Sequence, residues 1–233
     1  MEQLETDSSS VHIKLSEEVL NRIEDVNQIY TLIHALKTAF ALRRLAMPRL
    51  FTGLELPKKL VDRLALLRGK LSGARWIDPE RYHVTLRFAG DIDDVTAHQF
   101  ASALSEIEFG SFELQLTGLG SFGGNKPRAL WAGVKPSDAL LRLQRAHERA
   151  ARLAGMPPEQ RNFTPHVTLA RLKDTRPQAL ADYLSYFGGF MAEPFTVERF
   201  VLYSSRSNTG GGHYIVEAAY PFSDANGLEA GVA

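Results

Sequence analysis

The chain has 233 residues, with 27 basic and 27 acidic side chains and no cysteine. The absence of cysteine excludes disulfide scaffolds, thiolate zinc sites, iron–sulfur clusters and cysteine nucleophiles. The balanced charge argues against broad electrostatic binding to duplex nucleic acid, which requires an extended basic surface. No apolar run approaches the roughly 18 residues that span a bilayer, and the start MEQLETDSSS is unlike a secretory signal. We therefore expect a cytoplasmic protein with no contact to a membrane.

Residues 1–46 predict a helical extension of unknown role. Ser16 is placed as an N-cap, and apolar residues recur at three- and four-residue steps over residues 16–46. We expect this helix to pack on the following domain or on a second copy of itself, and the oligomeric state stays open. Its mixed polar face argues against a lipid surface. A third interpretation is that Met47 is the natural start of the protein.

Residues 47–233 predict one domain in which short strands and helices are interspersed. The expected strands are RLFTGLEL, YHVTLRFAG, SFELQLTGLGSFG, ALWAGVK, FTPHVTLARL, FTVERFVLYSS and HYIVEAAYPF. The expected helices are KKLVDRLALLRGKL, VTAHQFASALSEI, SDALLRLQRAHERAARLAG and RPQALADYLSYFG, with Ser137 as an N-cap and Gly155 as a stop. SDANGLEAGVA predicts a frayed C-terminal tail. Without strict βαβ alternation, this order predicts an α+β fold with largely antiparallel sheet.

A four-residue repeat is the most informative feature of the sequence. The residues HVTL occur at 83–86 and again at 166–169, each time within a predicted strand. A random match of the three residues after a histidine has a probability on the order of 10⁻⁴. Because side chains alternate along a strand, histidine and threonine share the polar face of each copy, while valine and leucine face a core. Two halves related by an approximate twofold would bring both polar faces to one cleft.

Two histidines and two threonines suit phosphodiester chemistry without a metal. Breaking a P–O bond requires a base on the attacking side and an acid on the leaving side, and imidazole has a pKa near neutrality. Threonine hydroxyls can donate hydrogen bonds to the non-bridging oxygens as negative charge accumulates there. A zinc site would need a third ligand beside His83 and His166, and the neighbouring polar side chains are threonines.

The segments HVTLRFAGD and FTPHVTLAR, with PRLFTGLELP and ALWAGV, resemble the 2H phosphoesterases, and most closely the RNA 2′,3′-cyclic phosphodiesterase (2′-5′ RNA ligase) family. The resemblance spans about residues 48 to 222. It implies a bilobal α+β fold with the two motifs facing a central cleft. It also implies hydrolysis of terminal 2′,3′-cyclic phosphate to a 2′-phosphate with no cofactor, and possible 2′-5′ RNA ligation. The substrates so implied are RNA ends or small cyclic-phosphate nucleotides.

Roles for individual residues follow from this resemblance. His83 and Thr85 occupy the first motif, and His166 and Thr168 occupy the second. The resemblance makes His83 the proton donor and His166 the proton acceptor, whereas the two identical HVTL sequences cannot distinguish them. Both threonines are assigned to phosphate binding. Residues 1–46 have no counterpart in the family pattern.

Further candidates lie beside the motifs. Arg171 follows the second motif where the family has a basic residue near the phosphate, although strict alternation from His166 puts it on the opposite face unless the strand bulges. By the same alternation, Arg87 shares the face of the first histidine. Phe51 and Phe122 are candidates for stacking a terminal base, and Trp131 is interpreted as a core residue.

Two alternative functions stay open at this stage. One is a cyclic-nucleotide phosphodiesterase on the same fold, because the catalytic centre recognises a phosphodiester and the cleft walls select the remainder of the substrate. The other is a non-catalytic RNA- or nucleotide-binding module in which the same residues only hold a phosphate.

Overall fold

The computed structural model describes residues 49–205 and 214–223 of the chain. The predicted helical extension over residues 16–46 and almost all of the predicted C-terminal tail lie outside these residues. Within them, the helices are α1 (Lys58–Ala65), α2 (Asp94–Ser105), α3 (Asp138–Leu153) and α4 (Pro177–Phe187), with a short 3₁₀ turn at Pro79–Arg81. The strands are β1 (Arg49–Glu55), β2 (Ala74–Trp76), β3 (His83–Gly90), β4 (Phe112–Leu114), β5 (Leu116–Phe122), β6 (Ala129–Val134), β7 (His166–Leu172), β8 (Phe195–Val197), β9 (Arg199–Ser205) and β10 (Tyr214–Pro221).

Most of the strands belong to one eight-stranded sheet with the order β10-β9-β1-β3-β7-β6-β5, in which β2 also pairs with β7. Every strand pairing in this sheet is antiparallel. The first lobe consists of β10, β9, β1 and β3, and the second lobe of β7, β6, β5 and β2. The two lobes are joined through β3 and β7, where the register pairs one residue, Val84, with Val167. The α+β prediction is therefore confirmed.

Helix α3 illustrates how the sequence determines the packing. Its buried residues recur at three- and four-residue steps, and it contacts α2 and strand β3. Ser137 caps the helix as predicted, because its side chain accepts a hydrogen bond from the backbone N–H of Leu140. Gly155 follows the last turn with φ of 78°, a left-handed conformation that glycine adopts without strain.

Four elements differ from the prediction. Helix α1 ends at Ala65 rather than continuing to residue 71. Two carbonyls beyond its end accept bonds from distant side chains, that of Leu67 from Tyr183 and that of Gly69 from Trp76, so the chain need not stay helical to satisfy them.

The predicted strand over residues 111–123 is also wrong in one respect, because it divides at Gln115. Its first part, β4, pairs with β8 in a separate two-stranded sheet, and its second part, β5, pairs with β6 in the main sheet. The predicted strand over residues 195–205 likewise divides at Glu198, into β8 in the small sheet and β9 in the main sheet. The short edge strand β2 was not predicted at all.

Candidate active site

The pairing of β3 with β7 places the two HVTL motifs side by side. Val84 and Val167 are paired and both are fully buried, so they define the core face of the sheet. Since side chains alternate, the residues on either side of each valine emerge on the opposite face. These residues are the histidine and threonine of each motif, and they are partly buried. We call this surface, which carries His83, Thr85, His166 and Thr168, the cleft face.

Both imidazoles are oriented by the same backbone contact. Nδ1 of His83 lies 2.8 Å from the carbonyl oxygen of Arg81, and Nδ1 of His166 lies 2.7 Å from that of Thr164. A carbonyl can only accept, so each Nδ1 must carry the proton and donate it. The neutral tautomer therefore leaves Nε2 of each ring as the atom that can take up a proton.

The two histidines differ in the surroundings of Nε2. Nε2 of His83 lies 3.0 Å from Oγ1 of Thr85, so in the neutral ring the hydroxyl donates to it. Among the described residues, His166 has no matching contact with Thr168. Burial lowers the pKa of His83 to about 4, and the carbonyl of Arg81 partly opposes this. The positive charge of Arg81 and that of His166 both add to the lowering. The effect of His166 means that the two imidazoles lie close enough to interact electrostatically.

The pKa of His166 is also lowered. Burial is the main cause, the hydrogen bond to the Thr164 carbonyl opposes it, and the positive charge of Arg171 adds to the lowering. Both imidazoles therefore favour the neutral form when no anion is bound.

A β-bulge after each motif reverses the alternation. In the first lobe Gly53 pairs with Thr85 and Thr52 pairs with Arg87, so one extra residue, Leu86, lies between them on β3. In the second lobe β7 has the same irregularity, because Trp131 pairs with Thr168 while Leu130 pairs with Ala170. The bulges therefore occupy equivalent positions in the two strands.

The bulge in β7 resolves the position of Arg171. Strict alternation places Arg171 on the other face of the strand from His166. The extra residue returns Arg171 to the cleft face, where it is exposed. Its electrostatic effect on His166 agrees with this position. Arg171 can therefore contribute positive charge to an anion bound in the cleft.

The same reversal makes the prediction for Arg87 wrong. Its side chain is only 7% exposed and points to the core side, where Nε lies 2.7 Å from the Glu148 carboxylate on α3. It also donates to the backbone carbonyls of Phe88 and Pro157. The next residue, Phe88, is 48% exposed and occupies the position on β3 that Arg171 occupies on β7.

Aromatic side chains surround His83. Its ring centroid lies 4.9 Å from that of Phe51, 5.7 Å from that of Tyr203 and 5.2 Å from that of Tyr214. Phe51 is only 3% exposed and packs on Tyr203 and Phe88 as well. This burial argues against the predicted stacking of a substrate base on Phe51, whose ring instead supports the histidine.

The aromatic residues beside His166 are more accessible. The ring centroid of Phe122 lies 4.9 Å from that of His166, edge to face, and its side chain is 37% exposed. Trp131 is not a core residue, in contrast to the prediction. It is half-buried on the cleft face, opposite Thr168 and with its ring centroid 6.1 Å from that of His166.

The sequence interpretation missed Gly53, which lies opposite Thr85 in the first lobe. A Cβ atom at this position would lie 2.8 Å from the carbonyl oxygen of Val84 and 3.4 Å from Cδ2 of His83. Glycine is therefore required for the close approach of β1 to the His83 ring. A glycine inside the strand pattern RLFTGLEL is the signal that could have indicated it.

A profile of the 2′-5′ RNA ligase superfamily matches residues 56–209, which is more than half of the chain. The chain belongs to this superfamily. The family resemblance read from the two HVTL motifs is thereby confirmed.

Curated members of this group agree with the assignment. The chain is 37% identical over 123 residues to an RNA 2′,3′-cyclic phosphodiesterase of Aeropyrum pernix. This match covers 50% of the chain and 70% of the relative. It is 32% identical over 154 residues to one from Aquifex aeolicus, covering 63% of this chain and 81% of the relative.

Similar solved structures support the fold. E. coli LigT complexed with 3′-AMP matches with a TM-score of 0.62 at 22% identity, covering 76% of this chain and 99% of LigT. The protein TT0787 of Thermus thermophilus matches with a TM-score of 0.63 at 23% identity, covering 76% and 99% respectively. The bilobal 2H phosphoesterase architecture expected from the sequence is confirmed.

Two observations bear on cofactors and membranes. Across residues 49–205 and 214–223, no group of three or more histidine, aspartate and glutamate side chains is arranged to hold a metal ion. The same part of the chain contains no helix that is long and apolar enough to cross a membrane. Metal independence itself stays a prediction.

Proposed function

We propose that this protein hydrolyses the terminal 2′,3′-cyclic phosphate of RNA to a 2′-phosphate by acid–base catalysis between His83 and His166. The observation that carries the proposal is the Val84–Val167 pairing, which brings both imidazoles and both threonine hydroxyls to one face. Relatives that bear the name RNA 2′,3′-cyclic phosphodiesterase indicate the substrate.

The reaction requires one proton transfer on each side of the phosphorus. Nε2 of His166 takes a proton from water as the water oxygen bonds to phosphorus. The bond from phosphorus to O3′ breaks, and Nε2 of His83 gives its proton to O3′. The products are a 2′-phosphate and a 3′-hydroxyl, and the two histidines have exchanged protonation states.

Negative charge on the non-bridging oxygens is stabilised by neighbouring donors. The Thr85 hydroxyl, which donates to His83 in the free protein, and that of Thr168 can turn toward these oxygens. Arg171 supplies a full positive charge on the same face. Such charge-assisted hydrogen bonds are about twice as strong as neutral ones.

The division of roles rests on the family resemblance, because the pKa of each histidine is lowered by burial and by a nearby arginine. Arg171 helps to lower the pKa of His166 and so favours the neutral form that a base requires. His83 must carry a proton to act as the acid, although burial disfavours its charged form. The negative charge of a bound phosphate close to its Nε2 raises the pKa of His83 and supplies the missing counter-charge.

The same groups would support 2′-5′ ligation. If a ribose 5′-hydroxyl replaces water as the nucleophile, His166 takes its proton, the bond to O3′ breaks in the same way, and a 2′-5′ diester results. The relative amounts of the two products then depend on the local concentrations of the two nucleophiles.

The activity is tested with a defined oligonucleotide that ends in a 2′,3′-cyclic phosphate. We expect a 2′-phosphate product, identified by phosphorus NMR, and a rate that is unchanged by exhaustive chelation of metals. A 3′-phosphate product would contradict the assigned leaving group. Loss of activity on chelation, with recovery on adding zinc or manganese, would contradict the metal-free mechanism.

The same assay separates the alternatives. Turnover of free cyclic nucleotides without turnover of RNA ends would favour a cyclic-nucleotide phosphodiesterase. Tight binding of the oligonucleotide without turnover would favour a binding module.

A substrate whose leaving group needs no protonation separates the two histidines. With it, His83→Ala should lose far less activity than His166→Ala, because only the acid becomes dispensable. The opposite ranking would exchange the roles, and equal losses would mean that both residues chiefly bind the phosphate.

A further inference from the structure

A pocket of about 210 Å³ lies beside His83 on the first lobe. Its walls come from the end of β1, the 3₁₀ turn, and strands β9 and β10, and His83 is the one residue that it shares with the two motifs. The pocket therefore continues from the catalytic face but is separate from the place where the cyclic phosphate meets both histidines.

Among the described residues that line this pocket, Arg81 is the one with a permanent positive charge. Its guanidinium lies over the Tyr214 ring, 4.7 Å from the centroid. Among the described residues it forms no ion pair, and its Nε is buried without a hydrogen-bond partner. A buried donor that lacks a partner costs free energy, and stacking on a ring leaves the edge of the guanidinium available to an anion.

Most of the other polar side chains in the pocket are already engaged, and one acidic side chain opposes an anion. The Glu55 carboxylate is paired with Arg199 at 2.6 Å, so its charge is balanced. Tyr203 is stacked on Phe51 and Tyr214 is covered by the guanidinium of Arg81, so both rings are already engaged. Glu80, which is exposed at the pocket, is the one acidic group there with no ion pair in the described residues.

Arg81 lies next to the catalytic face. Its carbonyl oxygen accepts the hydrogen bond from Nδ1 of His83. Its guanidinium and the His83 ring contact the same side chain, since they lie 4.7 Å and 5.2 Å from the centroid of the Tyr214 ring. One RNA strand can therefore place its terminal phosphate at His83 and its preceding phosphate at Arg81.

We infer that this pocket is a second phosphate subsite, in which Arg81 binds the phosphodiester on the 5′ side of the nucleoside that carries the cyclic phosphate. The inference rests on the proposed function and extends it. The preferred substrate is then an RNA chain end, with at least two nucleotides, and a free cyclic mononucleotide leaves the subsite empty.

The test compares two substrates with the same reacting end. One is adenosine 2′,3′-cyclic phosphate, and the other is a dinucleotide that ends in this group. We expect kcat/KM to be about tenfold higher for the dinucleotide, which is the usual value of one charge-assisted hydrogen bond. In Arg81→Gln this ratio should fall close to one. Because any effect of Arg81 on His83 acts on both substrates, it cancels in the ratio.

Two further variants sharpen the test. Glu80→Gln removes a negative charge from the pocket and should raise the ratio. Arg142→Gln, on the exposed face of α3, is the matched control and should leave it unchanged. The salt dependence of log KM for the dinucleotide should be smaller in Arg81→Gln by a slope of about 0.7, which corresponds to one phosphate contact on a single strand.

Other results overturn the inference. It is wrong if the wild-type protein does not prefer the dinucleotide, if Arg81→Gln leaves the ratio unchanged, or if this variant loses both substrates equally. If the wild-type protein hydrolyses neither substrate, the proposed function is wrong. The subsite is then tested by measuring the binding of a fluorescent 3′-phosphorylated oligonucleotide. An affinity about tenfold weaker in Arg81→Gln then supports the subsite, and equal affinity overturns it.

Discussion

Strands β3 and β7 begin with the same four residues and then differ. Both orient their histidine through a carbonyl two residues earlier, and both contain a bulge after the leucine of the motif. Beyond the bulge, β3 carries a buried arginine and an exposed phenylalanine, Arg87 and Phe88. Strand β7 carries a buried alanine and an exposed arginine, Ala170 and Arg171.

This difference makes the two halves of an otherwise symmetric site unequal. The repeated residues supply two equivalent imidazoles and two equivalent hydroxyls, and these alone cannot distinguish an acid from a base. The residues that are not repeated place positive charge beside His166 and an aromatic cluster around His83. The two histidines therefore have different surroundings, although one arginine lies near each of them, Arg81 near His83 and Arg171 near His166.

The largest expected effect comes from removing the feature that the two strands share. His83→Ala and His166→Ala should each lower kcat by about 10² to 10⁴, because each removes a positioned proton-transfer group. Steady-state kinetics on the cyclic-phosphate oligonucleotide measures the loss. His98→Ala is the matched control, since His98 is exposed on α2 and contacts the Asp94 carbonyl of its own helix. A loss below tenfold in either cleft variant would contradict the acid–base pair.

The second prediction concerns Arg87, a residue of the first lobe only, and its contribution to the stability of the protein. Arg87→Met should lower the free energy of unfolding by about 3 kcal/mol, because it leaves Glu148 without its buried partner. Two backbone carbonyls also lose a donor. Denaturant titration measures the change. Lys58→Met is the control, since the Lys58–Asp62 pair is exposed and should contribute less than about 1 kcal/mol.

A double variant, Arg87→Met with Glu148→Leu, separates a missing interaction from an uncompensated charge. It should recover part of the lost stability, because the isolated carboxylate is removed together with its partner. If the single variant costs less than about 1 kcal/mol, the pair does not hold β3 against α3.

The sequence predicts the shared part of the two strands better than the part that differs. Alternation within HVTL places valine in the core and histidine on the other face, and the structure agrees. The bulges could not be predicted because they depend on pairing with β1 and β6, which lie far away in the chain. Counting without a bulge inverts the face of the residues that follow it, so Arg87 is placed on the wrong face. Arg171 is placed on the cleft face only when a bulge is allowed for.

Two other differences have similar causes. The run ALWAGV is apolar throughout, so it offers no alternation that could show Trp131 facing the cleft. Beyond the end of α1, two backbone carbonyls accept hydrogen bonds from Tyr183 and Trp76, which lie on other elements. Local patterns thus specify which elements form, while contacts between distant elements specify bulges, helix ends and the final face of a side chain.

The third prediction removes the charge that distinguishes the second strand. Arg171→Gln should lower kcat/KM by about tenfold, because the phosphate loses one charge-assisted donor. It should also raise the pKa of His166, which Arg171 helps to lower. A base is active only when it is neutral, so the acid limb of the kcat/KM profile should move to higher pH.

The pH profile makes this prediction specific. Arg171→Lys keeps the positive charge and should leave the acid limb near its wild-type position. A tenfold loss in Arg171→Gln without any shift of the acid limb would mean that Arg171 binds substrate at a distance from His166.

The smallest effect concerns Phe122, whose ring lies against His166 and is 37% exposed. We propose that it stacks a base of the RNA end. Phe122→Leu should then raise KM about fivefold, near the lower limit for one base–aromatic stack, and change stability little. Phe122→Tyr should keep the wild-type KM.

Phe51→Leu in the other lobe should act differently, because this ring is 3% exposed and can contribute only to packing. We expect it to lower the free energy of unfolding by about 1 kcal/mol and to leave KM unchanged. An unchanged KM in Phe122→Leu would assign both phenylalanines to packing and remove base stacking from the cleft.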